Sequence, residues 1–199
     1  MSAVLLVRLK ITDLTAWSAL ETGRRLLGPG HTLARLAREQ VTLFEPEAGV
    51  KADAFEAALG EAVMRSNFFV NPNKESYRYL ISSERGEAWR PPEGAWGILA
   101  RPREDTRDQG LRERLLREHP LQGLGGIRRA KVWWLWTQGP DGEPAVDHCY
   151  RILGELLDQK RGFLVNPHSE SALLIQGATP WSKIERFLID PAPAFRAAA

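Results

Sequence analysis

Side chains able to attack a substrate, move protons or bind metal are sparse in this chain: one cysteine, Cys149, and four histidines, His31, His119, His148 and His168. His148 precedes Cys149 directly, and neighbours on a helix point about 100° apart. The two therefore lack the spacing of a zinc ligand pair, and they read as a partly exposed helix histidine beside a buried cysteine. No Gly-x-Ser-x-Gly elbow is present to expose a serine nucleophile. Gly123-Leu124-Gly125-Gly126 is glycine-rich, yet it leads from a helical pattern into a strand. Phosphate loops run from strand into helix, so that the helix N-terminal amides face the anion. The segment reads as a flexible turn. The sequence predicts no catalytic residue, no cofactor and no metal site.

Two arrangements could suggest nucleic acid. Arg112, Arg114, Arg117, Arg128, Arg129 and Lys131 precede Trp133, Trp134 and Trp136, a composition that can build a stacking platform for single strands. Arg161-Gly162-Phe163-Leu164-Val165 echoes part of an RNA-recognition strand. That strand's middle glycine and second aromatic are missing, and Asn166-Pro167 would cut it short. The net charge of +2 is too small to argue for a nucleic-acid or membrane partner. The arginines read as a solvated helix face and the tryptophans as core.

The elements around these residues say one thing twice. Phe68-Phe69-Val70-Asn71-Pro72-Asn73-Lys74-Glu75-Ser76 returns as Phe163-Leu164-Val165-Asn166-Pro167-His168-Ser169-Glu170-Ser171, with Asn71 and Asn166 95 residues apart. Solenoid repeats have periods of roughly 20–50 residues, so this is a duplicated small domain, built like a fused homodimer. The first copy reads as a strand over 3–10 and a helix capped by Asp13, with Trp17, Leu20 and Leu27 near its buried face. A strand at 41–44 follows, then a second helix opened by Asp53 and Glu56, with Phe55, Leu59, Ala62 and Val63 inward. Asn71-Pro72 ends that helix, through an asparagine that tolerates left-handed geometry, and 77–81 is a strand. The second copy repeats the order: strand 96–101, a helix capped by Thr106 with Gln109, and the aromatic strand 130–137. A helix with the stripe Val146, Tyr150, Leu153 and Leu157 and a strand at 172–176 complete it.

The predicted organisation is thus repeat 1 over 1–82, a linker over 83–94, repeat 2 over 95–180 and an extension over 181–199. Within the extension, 182–190 is expected to dock as one short element and 191–199 to fray. The fold class is α+β, each repeat an antiparallel sheet with two helices on one face, the repeats related by a pseudo-two-fold axis. Trp133 and Trp134 point to opposite sides of one strand, so both faces need cover. The expectation is that the two sheets pack on each other or on a partner. At 43% hydrophobic and 26% charged, the chain is an ordinary globular one with material for two small cores. A single cysteine excludes an intrachain disulfide and suits a reducing compartment. Arg8 and Lys10 follow the first apolar run, where a signal peptide would put its charges before it. No run reaches the ~18 apolar residues of a membrane span, and the expected location is cytoplasmic.

The pattern of an apolar pair, Asn-Pro, two residues, Glu, one residue and Tyr-Arg-Tyr resembles the C-terminal signature of the PurS family. In the first repeat it is carried by Phe68 to Pro72, Glu75 and Tyr77-Arg78-Tyr79. The second repeat has Ala172-Leu173-Leu174 in place of the tyrosines, but its front matches better. Asp108-Gln109-Gly110 is similar to the family's Asp-Pro-Gln-Gly, and Ile127 to Val132 to the segment entering its long middle strand. The first repeat keeps Leu36, Arg38 and Val41 of that segment. The resemblance implies a small subunit without catalytic residues that dimerises through its sheets. In formylglycinamidine ribonucleotide synthase of purine biosynthesis, that subunit bridges the glutaminase PurQ and the ATP-dependent synthetase PurL. Arg128, Arg129 and Lys131, charges leading into a packed strand, are the candidate partner contacts, and Asn71, Pro72, Asn166 and Pro167 the structural motif. The other reading is a stand-alone α+β binding or regulatory module outside purine synthesis, homodimeric or otherwise.

Overall fold

The computed structural model describes residues 2–81, 86–104, 107–119, 121–154 and 163–189. The proposed cap Thr106, the helix end Pro120, Leu157, the Arg161-Gly162 pair and the tail 191–199 lie outside them. The elements are β1 (Ala3–Leu9), α1 (Leu14–Leu27), β2 (Thr32–Pro46), α2 (Ala52–Ser66), β3 (Glu75–Leu80), β4 (Ala88–Trp89), β5 (Trp96–Pro102), α3 (Arg107–Glu118), β6 (Leu124–Gln138), α4 (Val146–Leu153), β7 (Glu170–Ile175), β8 (Thr179–Pro180) and α5 (Trp181–Ile189). Six strands form one antiparallel sheet in the order β3-β1-β2-β6-β5-β7, and β4 pairs with β8. The expected pair of face-packed sheets is therefore replaced by a single continuous one. The cause is strand length: β2 and β6 run 15 residues each, far beyond the expected 41–44 and 130–137 and the usual 5–6 residues.

The registers define the repeat residue by residue. Val7 lies opposite Tyr77 and Gln40, and Ala100 lies opposite Ala172 and Lys131. Tyr77 and Ala172 are 95 residues apart, like the asparagines, so Val7 corresponds to Ala100 and Gln40 to Lys131. By the same count Leu33 and Leu36 of β2 correspond to Leu124 and Ile127 of β6. All four are buried. Each pair shares one core cluster although residues three apart on an even strand face opposite sides, so the backbone turns between them. In β6 this stretch holds Gly125 and Gly126, which belong to the strand rather than to the flexible turn expected. A Cβ on Gly125 would lie 3.1 Å from the Pro46 carbonyl oxygen, so a side chain there would press the two backbones apart.

The chain forms two compact units, and neither is a contiguous repeat. One comprises residues 1–11, 39–87 and 104–130, the other 12–38, 88–103 and 131–199. The first unit takes β1, the end of β2, α2 and β3 from repeat 1, and α3 with the start of β6 from repeat 2. Its core joins Leu5, Phe44, Phe55, Leu59 and Val63 to Leu115 and Ile127. The second unit does the reverse: α1, with Leu33 and Leu36, joins Ile98, Trp133, Leu135, Tyr150 and Leu153. Each unit thus pairs a second helix, α2 or α4, with the first helix of the other repeat.

Several local expectations hold and several fail. Asp13 caps α1, accepting from the Thr15 and Ala16 amides at 3.0 and 3.2 Å. The inward side of α1 is Ala16, Gly23 and Leu27, while Trp17 points out. The cap of α2 is Lys51 without a side-chain bond, and Asp53 sits within the first turn; Glu56 is buried instead. The left-handed residue that ends α2 is Asn67, at φ 51°, four residues before the expected Asn71. The expected linker contains β4, which pairs with β8 ahead of α5.

Trp133 and Trp134 are both buried, one on each face of the second unit's sheet. Trp133 joins the cluster covered by α1 and α4. Trp134 meets Trp89 edge-on at 5.4 Å, and Trp89 stacks on Trp181 at 5.3 Å. Gly97 lies opposite Trp134, and a Cβ there would sit 2.6 Å from the indole ring. Glycine is the space the ring occupies. The extension docks as expected, in the form of α5, and it divides the repeats: Arg8 is exposed and bonded to Ser76, whereas its counterpart Arg101 is buried and donates to the Leu188 carbonyl of α5.

Candidate functional site

The two Asn-Pro corners are built alike. Pro72 and Pro167 fix φ at the second position of the turn. The Asn71 side-chain oxygen accepts the Asn73 amide at 3.1 Å, and that of Asn166 accepts the His168 amide at 3.0 Å. The Asn71 carbonyl accepts the Lys74 and Glu75 amides; the Asn166 carbonyl accepts those of Ser169 and Glu170. Each asparagine amide then donates to the carboxylate four residues on, to Glu75 at 2.7 Å and to Glu170 at 2.9 Å. The sequence pattern contains Glu75 but assigns it no bond in the turn. The signal for the glutamate was available in its return at the same offset in both copies. Each corner opens an edge strand, β3 or β7.

The three candidate partner residues fall into different settings. Arg128 donates to Glu45 at 2.7 Å and is half-buried. Lys131 pairs with Glu170 at 2.8 Å, tying β6 to the second corner. Arg129 is exposed, and among the described residues no ion pair engages it. Of the tyrosines that carry the resemblance, Tyr77 is exposed. Tyr79 packs over Gly60 and donates to the Glu56 carbonyl at 3.0 Å. Burial and the Glu56 carboxylate push its phenol pKa well above the ordinary value.

A surface feature escaped sequence reasoning. Leu14 and Trp17 of α1 are 72% and 58% exposed, adjacent on the helix at i, i+3. The period through the large apolar residues puts Trp17 inward, whereas the buried arc uses the small Ala16 and Gly23. Exposed tryptophan is characteristic of interface anchors. The basic-aromatic platform is not assembled. Trp133 and Trp134 offer no free face to a base, Trp136 donates to the Glu93 carbonyl under Arg35, and Arg112 pairs with Glu47.

His148 is partly exposed and Cys149 buried, as expected. Burial raises the thiol pKa, with the Thr137 hydrogen bond opposing it. His31 stacks on His148 with ring centroids 3.8 Å apart. Among the described residues no three metal-ligating side chains gather, and no helix is long and apolar enough to cross a membrane. A groove of about 160 Å³ lies in the first unit, lined by Ala58, Glu61, Ala62, Arg65, His119 and Leu121. Its Glu61 and Arg65 pair with each other at 2.7 Å. No protein-family model, curated protein or solved structure matches this chain.

Proposed function

We propose that this chain is a tandem PurS-like protein, a non-catalytic accessory or scaffold subunit of formylglycinamidine ribonucleotide synthase that bridges PurQ and PurL in the cytoplasm. The observation that carries the reading is the matched pair of corners, alike in the bonds that asparagine makes to the turn and to its glutamate, on the edge strands of a sheet whose order reads the same from either end. A fused dimer, its repeats related by an approximate two-fold axis, would have corners matched in this way. The exchange of first helices supports it, since each compact unit needs both repeats, as the halves of an obligate dimer do. The work of such a subunit is contact, and Arg129 with the Leu14–Trp17 face of α1 supplies exposed charge and exposed anchors for it.

Pull-down of PurL and PurQ from the same organism is the direct test of binding. Arg129→Glu is expected to weaken capture by about 0.2–1 kcal/mol, up to roughly fivefold, as a rim charge does, and to leave the melting temperature unchanged. Arg128→Glu would instead set a second carboxylate beside Glu45 and lower stability. Loss of the tight Arg128 pair makes it the wrong probe for binding. Failure of the wild-type chain to capture either protein would favour the stand-alone module. The α5 extension, which leaves the two repeats unlike, is the feature on that side.

A further inference from the structure

We infer that the stacked His31–His148 pair is an acid-sensitive clasp that holds the turn between α1 and β2 against α4. The turn is Gly28-Pro29-Gly30-His31. It is gripped from two sides: Pro140 of the segment before α4 lies 3.2 Å from where a Cβ on Gly30 would stand, and the His31 ring lies 17° from parallel on that of His148. Neutral imidazoles can stack in this way; two imidazolium rings at 3.8 Å repel.

His148 is set to be the neutral partner. The Leu27 carbonyl at the end of α1 is the one neighbour that favours its charged form. The ring Nε2 is buried with no hydrogen-bond partner. A proton there would be a buried donor lacking an acceptor. The surroundings oppose a second positive charge. From the turn the ring faces His31, and from its own helix Arg151. The position three residues into α4 also lies at the positive end of the helix dipole. Burial first, then His31 and Arg151, lower the His148 pKa, with the Leu27 carbonyl opposing them.

The sign follows from proton binding. The open turn leaves His148 near the ordinary imidazole value of about 6.5, and the closed turn binds the proton less well. Acid therefore favours the open state. The clasp is at full strength above pH of about 6.5, weakens as pH falls below it, and levels off once the closed state also takes up the proton. The second unit alone carries this device. Two residues before Leu124, at the position corresponding to His31, stands Gln122, and the neighbouring Gly123 meets Val50. That apolar contact has nothing to titrate.

The test is a pH titration of the full chain from 8 to 4.5, with histidine ring NMR and hydrogen exchange read together and exchange corrected for its intrinsic pH dependence. His148 is expected to titrate below about 6.5, and His31→Asn to move its midpoint upward. Protection of the Leu26 and Leu27 amides, in the last turn of α1 beside the clasped turn, should fall with acid, by about tenfold for each unit that the midpoint lies below the ordinary value. The bonded His119 and Leu121 amides before the counterpart turn should not change, and His148→Gln should flatten the response at Leu26 and Leu27. A His148 midpoint at or above the ordinary value in the wild-type chain would overturn the inference. So would equal loss of protection beside both turns.

Discussion

Trp134→Ala is expected to destabilise the protein by about 3–5 kcal/mol, the range for removing a buried aromatic. The loss is of two kinds. The ring fills the space left by Gly97 and meets Trp89 edge-on, so its removal opens a cavity between the sheet and the Trp89–Trp181 stack. It also frees the edge-to-face contact, worth about 0.5–1.5 kcal/mol beyond area. The damage should be read first in α5, whose Trp181 stacks on Trp89. Hydrogen exchange at residues 181–189 should rise before that of α4. Denaturant unfolding measures the total, and a change below 1 kcal/mol would contradict burial between layers.

Trp133→Ala should cost as much through the other face. This ring lies in the core beneath α1 and α4, and its indole N–H donates to the Leu164 carbonyl at 3.0 Å. Truncation creates a cavity and leaves that carbonyl without its donor, adding to the loss. Trp133→Phe separates the two terms: it keeps most of the volume and should cost about 1–3 kcal/mol for the bond. Here the segment 163–165 and α4 should loosen while α5 stays protected. Opposite patterns in the two variants would place the rings on the wrong faces.

The amino-acid pattern revealed the elements better than their joining. The stripe Phe55, Leu59, Ala62 and Val63 is buried as the helical period requires, and consecutive tryptophans announced a strand covered on both sides. Those signals are local. The single sheet was hidden because β2 and β6 extend through Ala34-Arg35 and Gly125-Gly126, where the backbone turns and strict alternation breaks. The exchange of α1 and α3 between units was hidden too, since an amphipathic helix records that a face is buried and not against which strand. At the corners, proline and asparagine spoke for the turn by type, while Glu75 and Glu170 act through position, which their return at one offset in both repeats marks. Trp17 shows the reverse error, a large apolar residue counted as core when the core side of its helix is small.

The proposed role is tested most directly by measuring synthesis of the amidine by PurL and PurQ with and without this chain, using glutamine and, separately, ammonia as the nitrogen source. A scaffold that joins the glutaminase to the synthetase should raise the glutamine-dependent rate and change the ammonia-dependent rate of PurL far less, while showing no synthetase, glutaminase or ATPase activity alone. An unchanged glutamine-dependent rate at micromolar chain would contradict the role.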